Sequence, residues 1–232
     1  MDRRNFMLAA GAGASLTLAG GAQAVSARSA KPGAPAASGR KPYLMKLGCQ
    51  SMPSSEAHFA DFARFGVTNI CARAAVADGR LYPTVDELSR LRDMAQRHGL
   101  SLDMLEPDLL ASTHIDREKH PAIMLGDGAE RDRDIEAFAT TLRNCAAAGI
   151  PAVKYNMSLL GVLRTAPAEG RGGSHYFAWD LSKAKPATPL TRAGVVDADL
   201  FWERITYFLD RIVPVANETK VRIACHPQDP GT

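Results

Sequence analysis

The chain has 232 residues, 46% hydrophobic and 23% charged, with a formal charge of +3. Arg3, Arg4, Arg28, Lys31 and Arg40 all fall within the first 40 positions, so the remainder is near neutral. No basic stripe with interleaved aromatics is left there, which excludes a nucleic-acid partner.

At the N-terminus, the twin arginine Arg3-Arg4 precedes Asn5-Phe6, a Gly/Ala/Leu stretch and Ala22-Gln23-Ala24. This pattern predicts a Tat-type export signal over residues 1–24, cleaved after Ala24, and hence a periplasmic or secreted protein. The stretch is Gly-rich and short of the ~20 strongly apolar residues that a membrane span requires. Residues 25–40 are Ser, Ala, Pro, Gly and Lys without apolar period and read as a flexible tether. The folded part runs over residues 41–232, enough for one domain with a sizeable core.

Residues 44–49 read as a first strand, and Ser54-Ser55-Glu56 as the cap of a helix carrying Phe59, Phe62 and Ala63. Residues 67–71 form the second strand. Thr84 and Glu87 make a capping box for a helix with Val85, Leu88, Leu91 and Ala95 on one face, ending at His98-Gly99. Residues 100–105 are strand three, and residues 108–128 a long loop. The next helix turns Ile135, Phe138, Ala139, Leu142 and Cys145 inward and stops at Gly149. Residues 150–155 are strand four, followed by an excursion over 157–196 rich in Gly, Pro, Arg and Ser. Asp199 is the expected cap of a last helix with Phe201, Ile205, Phe208, Leu209 and Ile212 on one stripe and Pro214 near its end. Residues 221–225 are strand five. Cys49, Cys71, Cys145 and Cys225 have no C-x-x-C spacing; Cys225 reads as a core thiol.

Strands alternating with helices mean a parallel α/β sheet with right-handed crossovers. No Gly-rich phosphate loop follows the first strand, which argues against a dinucleotide fold. Polar groups recur instead at strand ends: Gln50, Arg73, Glu106, Asn156 and His226. A (β/α)8 TIM barrel builds its site from such ends, so the expected fold is a partial barrel with about five of its eight βα units.

Tyr155-Asn156-Met157, Leu163-Arg164-Thr165 and His226-Pro227-Gln228-Asp229-Pro230 after Ile212-Val213-Pro214-Val215-Ala216 resemble the mannonate dehydratase family. Leu105-Glu106, Leu125-Gly126 and Arg131-Asp132-Arg133-Asp134-Ile135 support the resemblance, which runs from about Lys41 to the end. It implies the N-terminal portion of a xylose-isomerase-like barrel. The implied reaction dehydrates D-mannonate to 2-keto-3-deoxygluconate with a divalent metal, Mn2+ first and Mg2+ or Fe2+ next. His226 matches a metal ligand of the family; its other ligands and its catalytic His and Tyr are expected beyond Thr232.

From the residues themselves, Glu106, Asn156, Arg164 and Arg171 are the candidate substrate-binding groups. Arginine offers a sugar acid's carboxylate a bidentate fork, Glu106 a hydroxyl acceptor and Asn156 an amide. A neutral imidazole held at a strand end is a well-aimed metal ligand. The expected partner is a small sugar acid, with no stable membrane anchor after signal cleavage and homo-oligomerisation left open. Two alternatives stand beside the dehydratase: an exported xylose-isomerase-like isomerase or epimerase, and an inactive truncated fragment.

Overall fold

The computed structural model describes residues 45–51, 54–77, 79–185 and 189–226, all of them within one unit, Leu44–Thr232. The expected export signal (1–24), the tether (25–40) and the turn at residues 227–230 lie outside the described residues.

Helix boundaries follow capping chemistry. The Glu87 amide donates to Thr84 Oγ1 while the Thr84 amide donates to Glu87 Oε2 at 2.8 Å, which opens α2 (Val85–Arg97). Two otherwise orphaned donors are satisfied reciprocally. Burial acts to raise the Glu87 carboxyl, but the Thr84 amide and the Arg80 guanidinium outweigh it and hold it below the ordinary carboxylate value. Ser55 caps α1 (Glu56–Arg64). The helix α4 (Gly128–Ala148) ends where Gly149 turns left-handed at φ 76. Asp197, not Asp199, caps α5 (Ala198–Thr219), accepting from the Leu200 amide at 2.8 Å. Asp199 lies inside the first turn, where its charge complements the helix dipole instead.

The strands β1 (Gly48–Ser51), β2 (Asn69–Ala72), β3 (Ser101–Leu105), β4 (Ala152–Asn156) and β7 (Arg222–His226) form one parallel sheet in the order β1-β2-β3-β4-β7. This is the expected partial barrel. Each strand begins later than its apolar run suggests, and for two of them the reason is visible. The Leu100 amide donates to Ala95 O at 3.0 Å and the Ile150 amide to Cys145 O at 2.8 Å. Those donors close the preceding helices in Schellman fashion and are not available to the ladder. Asn156 and His226 are the last residues of β4 and β7, paired with each other in register.

The helices cover one face. Phe59, Leu88, Leu91, Phe138, Leu142, Phe208 and Ile212 pack over Ile70, Ala72, Leu102, Leu105, Val153 and Tyr155. Above β4, the Phe138 ring meets Tyr155 and Phe208 edge-on at 5.9 and 5.2 Å between centroids. Such aromatic pairs add ~0.5–1.5 kcal/mol beyond their buried area.

Some expected loops carry structure. Residues 108–128 hold a single turn, Ile115–Arg117, and the short helix α3 (Ala122–Leu125). The excursion contains an antiparallel hairpin of β5 (Ala168–Glu169) and β6 (His175–Tyr176), reversed through Gly172 and Gly173 at φ 68 and 76. Two-residue strands are too short for any periodicity to reveal. Cys225 corrects another expectation: it is exposed rather than a core thiol, because β7 is the edge of the described sheet. Among the described residues no helix is long and apolar enough to cross a membrane.

Candidate active site at the strand ends

Alternation along β4 sends Val153 and Tyr155 into the helix-facing core and leaves Lys154 on the opposite face. That face carries a closed polar group drawn from two strands, β1 and β4, and from the residues that follow β2 and β3. Glu106, the residue after β3, is 3% exposed. Its Oε1 accepts from Arg73 Nη2 at 2.9 Å. Its Oε2 accepts from Gln50 Nε2 at 2.8 Å and pairs with Lys154 Nζ at 2.7 Å. Lys154 Nζ also donates to Gln50 Oε1 at 2.8 Å, which closes a triangle. Arg73 Nη1 is 3.5 Å from the half-exposed Asp108.

A carboxylate this buried is tolerable only when paired and hydrogen-bonded, and three donors on three other strands meet that condition. Glu106 therefore fixes Arg73, Gln50 and Lys154 in mutual geometry. Cys71 shares the row of Gln50. Burial pushes its thiol up to about 11, against the opposing pull of Lys154 and Arg73 and with some help from Glu106. It is a neutral thiol at physiological pH.

A second polar layer lies toward the N-terminal ends of the strands. Asp103 accepts from Lys46 at 2.9 Å, Asn69 at 2.6 Å and Ser101 at 2.6 Å. Burial acts to raise its carboxyl, and these three partners together hold it below the ordinary value. Polar groups at that end of a barrel serve stability, while chemistry gathers at the C-terminal ends.

The remaining sequence candidates fall in two places. Asn156 is 4% exposed. Its backbone amide donates to Leu110 O at 2.8 Å, and its buried Nδ2 has no partner among the described residues. Leu110 holds the left-handed conformation at φ 56, a strained state for a branched side chain that clusters near functional sites. His226 stands beside Asn156 in register at the exposed end of β7. Arg164 and Arg171 do not join the Glu106 group. Arg164 stacks over Phe177 at 5.5 Å, and Arg171 is exposed in the turn between β5 and β6. Lys154 escaped the sequence reading, which weighed only residues after strands. A lone cation inside an otherwise apolar parallel strand was the available signal.

The described residues do not by themselves fit a divalent metal. Imidazole chemistry and a strand-end position suit His226 to be one ligand, but no three His, Cys, Asp or Glu side chains converge among the described residues.

Residues 181–232 match the family model D-mannonate dehydratase (UxuA). The mannonate dehydratase of Thermotoga neapolitana is 31% identical over 186 residues, 66% of this chain and 48% of that protein. Mannonate dehydratase 2 of Halalkalibacterium halodurans is 30% identical over 181 residues, 67% of this chain and 49% of that protein. The solved mannonate dehydratase of Streptococcus suis serotype 2 shares the fold with a TM-score of 0.65 at 24% identity, covering 80% of this chain and 54% of that one. The chain is thus a relative of the mannonate dehydratases, a partial parallel barrel spanning about half the length of the curated proteins that it matches.

Proposed function

We propose that the protein acts on a sugar acid as a dehydratase of the D-mannonate type, yielding 2-keto-3-deoxygluconate. One observation carries the reading: a relative of mannonate dehydratases presents Gln50, Arg73, Glu106 and Lys154 as one hydrogen-bonded group where a barrel builds its site. In the reaction the C–H bond beside the carboxylate breaks, its proton passes to a base, and the neighbouring hydroxyl leaves as water. An acid group protonates that hydroxyl as it leaves, and the enol so formed takes up a proton at the carbon that lost it, gives up its O–H proton and becomes the ketone. Charge builds on the carboxylate as the proton leaves, and fixed cations aimed at that charge lower the barrier. Lys154 and Arg73 supply them. Glu106 spends its oxygens on its three donors and orients them rather than acting as the base. Asn156 offers an amide to a substrate hydroxyl, while Arg164 and Arg171 stand on the excursion apart from the Glu106 group and its carboxylate site.

His226 would hold a divalent cation through one ring nitrogen, Mn2+ first, with Mg2+ and Fe2+ as alternatives, together with ligands from outside the described residues. Such an ion supplies Lewis-acid stabilisation when bound. The Arg3-Arg4 signal sends the protein through the Tat route to the periplasm or beyond, free of a stable membrane anchor once the signal is cleaved.

The test is incubation of the full chain with D-mannonate and Mn2+, with product mass and keto-acid formation as readouts. The expected product is lighter by one water, and Lys154→Met lowers kcat/KM by about 100-fold, the scale of losing one preorganised donor. A product of unchanged mass would move the protein to the isomerases. Failure to bind D-mannonate in calorimetry would sink the sugar-acid reading.

A further inference from the structure

Beside the Glu106 group lies a cleft of about 460 Å3 between the connection after β2 and the connection after β3. Arg73 lines it, so the cleft adjoins the strand-end group through a shared wall. Arg80, Arg117, Lys119, Asp108 and Glu118 line it as well, giving four cations against two carboxylates. Arg80 is engaged by Glu87 and Arg73 by Glu106. Glu118 Oε1 is turned to its own backbone, accepting from the Lys119 and His120 amides at 2.9 and 3.3 Å. The Arg117 and Lys119 side chains have no partner among the described residues. Both line the same cleft. The loop is braced from the excursion: Arg192 donates its backbone amide to Asp116 Oδ1 at 2.7 Å and its Nη2 to Glu118 O at 2.6 Å.

Two uncommitted cations on a braced loop, in a cleft of ligand size on the catalytic face of a barrel, are what a second acidic group would be held by. We infer that Arg117 and Lys119 form an anion subsite, and that beside D-mannonate the site takes sugar acids carrying a second anionic group, a carboxylate or a phosphate ester, at the end away from the reacting carboxylate, and holds them more tightly. The inference rests on the sugar-acid reading above for the placement of that reacting end.

Calorimetry of the full chain at low and high salt, with D-mannonate, D-mannarate and 6-phospho-D-mannonate as probes, tests it. One or both dianions should bind about tenfold more tightly than D-mannonate, as two charge-assisted contacts provide. That advantage should shrink with salt and disappear in R117Q/K119Q, whose D-mannonate affinity stays unchanged. The tighter dianion identifies the group as carboxylate or phosphate. Equal affinity for the three probes, or an advantage that survives in R117Q/K119Q, overturns the subsite. A dianion advantage lost in R117Q/K119Q without any dehydration supports the subsite and removes the dehydratase reading instead.

Discussion

Glu106 is a carboxylate whose work is done through its neighbours. It is nearly inaccessible, and Arg73, Gln50 and Lys154 all converge on it. Glu106→Ala leaves two cations facing each other at the strand ends. Breaking a buried pair in this way costs about 3–5 kcal/mol, toward the lower end where partners reach solvent, as Arg73 does at 32% exposure. The expected result is a clear fall in the urea midpoint. Glu106→Leu combined with Lys154→Met should recover part of the loss, since removing both charges removes the stranded one. A wild-type midpoint for Glu106→Ala would show that the group does not hold the sheet. At this scale the sequence already marked Gln50, Arg73, Glu106, Asn156 and His226 as strand-end groups. It could not show that three of them and Lys154 close one network, because residues as far apart as Gln50 and Lys154 are brought together only by the register of the intervening strands.

Helices and strands differ in how openly the sequence displays them. The inward stripes of α2 and α4 and the Thr84–Glu87 box were legible because 3.6-residue periodicity and capping are local properties. Strand starts were less so, since the Leu100 and Ile150 amides serve the preceding helices. The β5–β6 hairpin left no pattern at all. One helix end carries an evident cost. Lys220 closes α5 in the left-handed conformation at φ 59, a state that disfavours any residue with a Cβ by ~1–2 kcal/mol. Lys220→Gly should therefore raise stability by about 1 kcal/mol, seen as a higher denaturation midpoint, while Lys220→Ala stays within a few tenths. A Gly variant no more stable than the Ala variant would mean that the left-handed turn is absent in solution.

Across the whole molecule, alternation of strands and helices was enough to reveal a parallel barrel segment, and the recurrence of polar strand ends set it apart from a nucleotide-binding sheet. Three of the four cysteines report on its layers. Cys225 is exposed at the edge, Cys71 lies on the polar face, and Cys145 is sealed between helix and sheet. Burial pushes the Cys71 thiol up to about 11 and that of Cys145 up to about 12. Because alkylation consumes the thiolate, Cys225 should label first near neutral pH. Cys71 should label slowly and accelerate as pH climbs toward its raised value, and Cys145 should react only on unfolding. Peptide mapping after timed iodoacetamide pulses reads the order. Cys71 labelling as fast as Cys225 at neutral pH would mean that Lys154 and Arg73 hold a thiolate there.

The bond from Lys154 to Gln50 carries a consequence for shape. It joins the first strand of the sheet to the fourth, over the heads of the two between. In a flat sheet with strands ~4.8 Å apart those two positions stand about 14 Å from each other, and side chains rising perpendicular to it would not converge. A separation of 2.8 Å at their tips is thus a chord drawn across an arc: the strands roll toward one another far enough for the two side chains to meet. The ammonium proposed to face the substrate is thus anchored from the far side of the arc, so a shorter cation at position 154 would lose that anchor and shift the aim of the site.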